Sequence, residues 1–179
     1  NNITQHNRNK LLWRDASVDG LKTGHTDEAG YCLTASAKRS GMRLISVVLG
    51  TRSENARAQE TQKLFNYGFR FFESHDLYKT QEKITDTKVW KGEIDMLNLG
   101  LVEPLAVTVP RGRYKELVAT TNLQQPIIAP VSAGQVLGQV TIHLGDELID
   151  TQSLIALNDV KEGSWWRRLI DTILMMILG

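Results

Sequence analysis

Apolar and polar residues alternate near the start of the chain between Tyr31 and Lys38, and a mostly apolar run follows from Arg43 to Gly50. A period of two residues is typical of β-strands, because successive side chains point to opposite faces of a sheet. Ser40-Gly41 lies between the two stretches and predicts a tight turn. Leu21–Thr26, which follows the turn signal Asp19-Gly20, predicts one more strand. This part of the chain therefore predicts three antiparallel strands.

The spacing changes to three and four residues between Ser53 and about Phe72, which predicts an α-helix. Ala56, Leu64, Tyr67 and Phe71 are among the residues with this spacing. Ser53 is the predicted N-cap, because a serine oxygen readily accepts a backbone hydrogen bond from the first turn. We expect the helix to pack on the sheet and to bury its aromatic face.

The second part of the chain has the pattern of a small all-β domain. All four prolines fall between residues 104 and 130, and glycine turn signals recur at short intervals. Short β-branched runs lie between these signals, at Leu105–Val109, Leu117–Thr121, Val136–Leu144 and Leu154–Leu157. We predict a β-sandwich over residues 74–160, with residues 1–73 forming a separate domain and residues 161–179 a tail.

The tail from Ser164 to Leu178 is strongly amphipathic. On a helix, Ser164, Arg167, Arg168, Asp171 and Thr172 share one face. The other face carries the residues that we expect to contact lipid, namely Trp165, Trp166, Leu169, Ile170, Ile173 and Leu174. A helix of this length, about 22 Å, is shorter than the hydrocarbon core of a bilayer. The pattern favours a helix lying in the membrane interface. The alternative is an ordinary amphipathic helix packed on its own β-domain.

Composition excludes several classes of protein. The hydrophobic content of 41% and the charged content of 23% are typical of a folded chain, and the net charge of +1 gives no reason to expect nucleic-acid binding. The single cysteine, Cys32, permits no internal disulfide. His6, His75 and His143 have no second ligand at metal spacing, so we predict no metal and no cofactor.

The triplet Lys22-Thr23-Gly24 on the first predicted strand, followed by His25, is the strongest chemical signal. It resembles the Lys-Thr-Gly element of penicillin-binding proteins and serine β-lactamases. Further stretches extend the likeness along the chain: Asn7-Arg8-Asn9, Leu11-Leu12-Trp13, Met42-Arg43-Leu44-Ile45-Ser46, Tyr67-Gly68-Phe69-Arg70-Phe71-Phe72-Glu73, Val109-Pro110-Arg111-Gly112-Arg113 and the aromatic tail. The chain is thus similar to the C-terminal portion of serine D-alanyl-D-alanine carboxypeptidases of the penicillin-binding-protein five and six type.

The resemblance implies an α+β fold for the first domain, with antiparallel strands and a helix as in serine β-lactamases. It also implies an enzyme at the periplasmic face of the bacterial inner membrane that removes the terminal D-Ala of peptidoglycan stem peptides and binds β-lactam antibiotics. By resemblance, Lys22 supplies charge and proton transfer, Thr23 binds the substrate carboxylate and Gly24 leaves room for the ligand. The His25 N–H is an oxyanion-hole donor, and Arg8 and Arg57 are expected to bind the carboxylate.

Two departures from the family pattern limit this interpretation. No serine is followed three residues later by lysine, so the nucleophile motif is absent and the chain alone should be inactive. Ser53-Glu54-Asn55 follows Lys-Thr-Gly, whereas the family places its Ser-x-Asn element before it, so a helix cap is the better interpretation.

The plainer alternatives are a solvated strand lysine for Lys22 and a surface helix charge that pairs with Glu54 or Glu60 for Arg57. For the chain as a whole, the alternative is a non-catalytic, membrane-associated interaction module.

Overall fold

The three predicted strands form one antiparallel sheet in the computed structural model, which describes residues 5–178. The strands are β1 (Val18–Thr26), β2 (Gly30–Arg39) and β3 (Met42–Thr51), with β2 in the centre. Ser40 and Gly41 form the β2–β3 turn with φ angles of 48° and 86°. The predicted strands and this turn are confirmed, although β1 begins at Val18 rather than at Leu21.

Helix α2 (Glu54–Phe71) packs on one face of this sheet, and Ser53 caps it as predicted. The Ser53 hydroxyl accepts a hydrogen bond of 3.1 Å from the Ala56 N–H. The buried cluster between helix and sheet includes Leu33, Phe65 and Leu11, the last from the short helix α1 (Leu11–Arg14). The prediction of a buried aromatic face is right for Phe65 but wrong for Tyr67 and Phe71, which are exposed. Their side of the helix lies away from the sheet.

The remaining strands form a six-stranded sheet and a separate pair. The pair joins β4 (Phe72–Tyr78) to β7 (Leu105–Pro110). The large sheet has the order β8-β10-β11-β6-β5-β9. Its strands are β5 (Thr85–Trp90), β6 (Met96–Gly100), β8 (Leu117–Leu123), β9 (Ile127–Ile128), β10 (Val136–Leu144) and β11 (Glu147–Ala156). A 3₁₀ turn, Tyr114–Glu116, precedes β8. The chain is thus mostly β with few helices.

The large sheet buries an apolar cluster that includes Val89, Leu97, Leu99, Ile127, Leu137 and Val160. The sequence pattern located β7, β8 and β10 but missed β4, β5, β6 and β9. It also placed β11 too late, because the strand begins at Glu147 rather than at Leu154.

The chain divides into two compact units. Among the described residues, one consists of those up to Ser74 together with Thr108–Arg111, and the other of His75–Val107 and those from Gly112 onward. The second unit ends in helix α3 (Trp165–Leu178). Among the described residues, no helix combines the length and the apolar character needed to cross a bilayer.

Candidate active site

The Lys-Thr-Gly triplet lies in β1, which is an edge strand of the three-stranded sheet. Within residues 5–178, β2 is the only strand paired with β1, so the backbone groups along its other edge have no partner strand. Opposing residues in an antiparallel pair point to the same face of the sheet. Lys22 and Gly24 lie opposite Thr34 and Cys32, whereas Thr23 and His25 lie opposite Leu33 and Tyr31 on the face that carries α2.

The face that carries Lys22 and Gly24 is open. Lys22 is exposed, and its Nζ donates a hydrogen bond of 2.6 Å to the Thr23 carbonyl oxygen. A Cβ atom placed on Gly24 would meet only the Cys32 Cβ, at an ordinary contact distance of 3.7 Å. The described part of the chain therefore gives no packing reason for glycine at this position, and the space beside the strand is accessible to a ligand.

Arg57 on α2 is buried beneath the end of β1, with only 2% of its surface exposed. One terminal nitrogen donates to the Gly24 carbonyl oxygen at 3.3 Å, and the other donates to the Arg8 carbonyl oxygen at 3.2 Å. Glu54 lies 3.7 Å away, one helical turn earlier. Arg57 is therefore not a solvated helix charge, since its guanidinium joins β1, α2 and the segment around Arg8.

Aromatic contacts extend this group of residues to His25. The Arg57 guanidinium lies 5.6 Å from the centre of the Tyr31 ring, within the range of a cation–π contact. The Tyr31 and His25 rings are 3.9 Å apart between centroids. The structure thus brings Gly24, His25, Arg57 and the backbone of Arg8 together. The side chain of Arg8 is exposed, and so is that of His25. Tyr31 was not predicted as part of this region.

Glu54 carries negative charge beside these cations. The Lys10 ammonium lies 3.1 Å from its carboxylate, and this hydrogen bond is the main reason that the pKa of Glu54 lies below its ordinary value. The charges of Arg57 and Arg8 lower this pKa further. Glu54 therefore stays ionised and partly balances the positive charge at the edge of the candidate site.

The Ser53-Glu54-Asn55 triplet serves local structure. Ser53 caps α2, and the Asn55 side-chain oxygen accepts hydrogen bonds from Lys10 at 3.3 Å and Arg14 at 3.4 Å. These contacts support the interpretation as a helix cap. Over residues 5–178, no group of three or more His, Cys, Asp or Glu side chains is placed to hold a metal ion.

The six predicted lipid-facing residues of the tail lie on the exposed side of α3. Trp165 and Trp166 are each 61% exposed, and their rings stack 3.8 Å apart between centroids. Leu169, Ile170, Ile173 and Leu174 are exposed as well. The helix does contact its own unit, as in the alternative, but it does so through Arg167 and Asp171 and not through its apolar face.

Comparisons with family models and with curated relatives agree on one protein family. Residues 1–53 match the family model for D-alanyl-D-alanine carboxypeptidases, and residues 72–162 match the model described as the C-terminal domain of penicillin-binding protein 5. The chain is 43% identical to D-alanyl-D-alanine carboxypeptidase DacC of Escherichia coli K12, over 98% of this chain and 44% of that protein. It is 38% identical to DacA of Haemophilus influenzae, over 100% of this chain and 46% of that protein.

Solved structures give the same result. Penicillin-binding protein 5 from Haemophilus influenzae superposes with a TM-score of 0.83 at 40% identity, covering 89% of this chain and 47% of that one. Penicillin-binding protein 6B from Escherichia coli superposes with a TM-score of 0.56 at 29% identity, covering 86% of this chain and 39% of that one. The chain thus spans less than half the length of the relatives that it matches.

Proposed function

Because the chain belongs to the family of the penicillin-binding protein 5 C-terminal domain, and its residues 1–53 to the D-alanyl-D-alanine carboxypeptidases, we propose that it carries one wall of a serine carboxypeptidase site. The substrate of the whole protein is a peptidoglycan stem peptide that ends in D-Ala-D-Ala, and β-lactams compete for the same site. The observation that carries this proposal is the position of Lys22-Thr23-Gly24 on β1, whose outer edge has no partner strand among the described residues.

An acyl-transfer site needs a nucleophile, oxyanion donors and a means of holding the substrate. In our proposal the open edge of β1 receives the extended stem peptide, since an unpaired strand edge offers backbone donors and acceptors. The Lys22 ammonium supplies positive charge and assists proton transfer, and the Thr23 hydroxyl binds the terminal carboxylate. Gly24 leaves space for the ligand, and the backbone N–H of His25 donates to the oxyanion.

The two arginines have different parts in this proposal. Arg8 has an exposed side chain, which leaves its guanidinium available to a substrate carboxylate. The terminal nitrogens of Arg57 already donate to the Gly24 and Arg8 carbonyl oxygens. We therefore expect Arg57 to contribute mainly positive potential and to keep the end of β1 in place.

The nucleophilic serine lies outside this chain, because no Ser-x-x-Lys motif occurs in it. We propose that residues 1–73 complete an α+β domain of the serine β-lactamase type together with the part of the whole protein that supplies this serine. The β-strands of residues 74–160 then form a separate sandwich, and the chain alone is inactive.

Fluorescent penicillin labelling of the whole protein tests the enzyme proposal. We expect a covalent adduct that excess unlabelled penicillin prevents and that the isolated 179-residue chain does not form. A correctly folded whole protein that takes up no label would favour the alternative of a non-catalytic interaction module.

For the tail we propose attachment to the periplasmic face of the inner membrane through α3. The six exposed apolar residues listed above would enter the lipid interface, each contributing on the order of 1 kcal/mol or more at about 25 cal/mol per Å². Lipid charge adds only about 1 kcal/mol per basic residue, and Arg167 and Arg168 both pair with acidic side chains. Binding should therefore depend on the apolar face and only weakly on salt.

Vesicle co-sedimentation tests the tail proposal. Deleting residues 164–179 should leave the protein in the supernatant, and replacing Trp165 and Trp166 by serine should weaken binding more than replacing Arg167 and Arg168. Equal sedimentation of the truncated and intact proteins would exclude the tail as the membrane anchor.

A further inference from the structure

Helix α3 is attached to the second unit through its polar face. The Asp171 carboxylate accepts a hydrogen bond of 2.5 Å from the backbone N–H of Lys91, in the loop between β5 and β6. Arg167, one turn earlier, forms an ion pair with Asp95 in the same loop. These contacts join residues that are 80 and 72 positions apart in the sequence. The loop thus holds the side of α3 opposite its apolar face.

The segment before the helix is joined to the same loop. The Gly163 N–H donates to the Lys91 carbonyl oxygen at 2.8 Å, and the Glu93 N–H donates to the Lys161 carbonyl oxygen at 2.9 Å. A Cβ atom on Gly163 would lie 2.6 Å from the Gly92 carbonyl oxygen, which is closer than a real contact. The segment directly before the helix is therefore tightly packed on this loop and joined to it by backbone hydrogen bonds.

Lys91 itself has a backbone conformation that this contact helps to explain. Its φ angle is 60°, in the left-handed region that non-glycine residues rarely adopt. Its carbonyl oxygen binds Gly163 and its N–H binds Asp171, so both polar groups of this residue are used to hold the tail. The loop conformation and the docking of the helix therefore support each other.

The solvent exposure of α3 also differs between the side that contacts the loop and the apolar side. Arg167, Asp171, Thr172 and Met175 are half-buried, whereas the apolar residues of the opposite side are exposed. A free helix of 14 residues is only marginally stable in water. The contacts to the loop therefore stabilise the helix and also fix its rotation about its own axis.

We propose that the loop Lys91–Asp95 is a rigid mount for α3, with Asp171 as the positioning residue, so that a folded helix faces outward before any lipid is present. The biological role of this mount rests on the proposed membrane attachment. The partner of the outward, apolar face of α3 is then a lipid surface. Because the helix cannot turn on its axis, the second unit meets the membrane in one orientation rather than on a flexible tether.

Hydrogen exchange of the lipid-free 179-residue chain tests the mount. We expect the amides of residues 167–176 to exchange at least about tenfold more slowly than in a peptide of residues 161–179, and the Lys91 amide to be protected as well. Asp171→Ala should raise the exchange rates of the residue 167–176 amides and of the Lys91 amide at least about tenfold, because a charge-assisted hydrogen bond is lost. Asp171→Asn keeps an acceptor and should stay within about threefold of wild type.

Asp146→Ala, in the exposed β10–β11 turn, is the matched control and should leave tail exchange unchanged. The mount proposal would be overturned if the tail amides of the wild-type chain exchanged as fast as those of the free peptide. An Asp171→Ala variant with unchanged exchange would overturn it as well.

Co-sedimentation with phosphatidylethanolamine–phosphatidylglycerol vesicles separates this proposal from the membrane proposal. A protected tail in a chain that does not bind vesicles would refute membrane attachment and leave the mount standing. Vesicle binding by a chain whose lipid-free tail is unprotected would refute the mount alone.

Discussion

Asp15 is the residue whose chemistry the structure defines most sharply. Its carboxylate accepts hydrogen bonds from the Ser17 N–H at 2.9 Å, the Ser17 hydroxyl at 2.6 Å, Arg39 at 2.6 Å and Gln62 at 2.9 Å. Burial by itself would raise the pKa of Asp15, but the hydrogen bonds from Ser17, Gln62 and Arg39 outweigh it and lower the pKa far below its ordinary value. Asp15 thereby joins the end of α1 to β2 and α2.

Asp15→Asn should lower the free energy of unfolding by about 1–3 kcal/mol at pH 7, because the charged acceptor of several hydrogen bonds is lost. A depressed folded-state pKa gives stability that is present above the unfolded pKa of about 3.9 and is lost as the pH falls further. The advantage of wild type should therefore be constant above about pH 5 and should shrink between about pH 4 and pH 2.

Urea denaturation at several pH values measures this difference, with Asp27→Asn in the exposed β1–β2 turn as the control. A difference between wild type and Asp15→Asn that does not change with pH would contradict the account.

The limits of sequence-based prediction are also clear at single residues. Lys22, Thr23, Gly24 and His25 could be assigned to a strand because their motif and the neighbouring alternation agree. The burial of Arg57 could not be predicted, because its partners are the carbonyl oxygens of Gly24 and Arg8, 33 and 49 positions away. Backbone acceptors carry no signature in the side-chain sequence.

Among elements, a period of two helped to predict some strands, although β5 and β6 also alternate in burial and were missed. The sequence of β2 alternates from Leu33 to Lys38, and β10 buries every second residue from Val140 to Leu144. β4 has almost no such pattern, since six of its seven residues are only half-buried and none is fully buried. β9 contains only Ile127 and Ile128 between two prolines, too short for any period.

The N-cap of α2 gives a prediction at the scale of the element. Ser53→Ala removes the acceptor for the Ala56 N–H and should cost about 1 kcal/mol of stability, while Ser53→Asp should retain most of it. Chemical denaturation of the three proteins measures this. Equal losses of stability for the alanine and aspartate variants would contradict this prediction, because aspartate can still accept the hydrogen bond from the Ala56 N–H.

For the whole chain, the three-stranded sheet exposes an apolar face opposite α2. Ile45, Val47 and Leu49 on β3 are 65%, 57% and 69% exposed, and they share one face because they are two residues apart. Contiguous exposed apolar side chains mark an interaction surface or an aggregation risk. In the proposed whole enzyme, the residues that complete the α+β domain would cover this face at β3 and leave its β1 edge, with Lys22 and Gly24, open to the substrate.

The isolated chain should therefore bind the dye anilinonaphthalene sulfonate through this face. Replacing Ile45, Val47 and Leu49 by threonine keeps β-branched or β-compatible side chains and should lower dye fluorescence at least about twofold. Val118→Thr on the exposed side of β8 is the control. Undiminished fluorescence in the triple variant would place the dye elsewhere, and the apolar tail helix would then be the first site to examine.

An amphipathic pattern alone could not predict how the tail helix packs on the rest of the chain. The pattern of residues 164–178 separates a polar from an apolar face, but it does not say which face meets the protein. That outcome depends on Lys91 and Asp95, which lie far away in the sequence. Only the folded β-domain brings them beside the helix.

The most direct test of the account is the rate at which the whole protein is acylated by a fluorescent penicillin, compared between wild type and Lys22→Ala. Loss of a preorganised charge in the site should slow acylation by on the order of a hundredfold or more, with an unchanged melting temperature. An acylation rate within about threefold of wild type would contradict the assignment and reduce Lys22 to an ordinary residue of an edge strand.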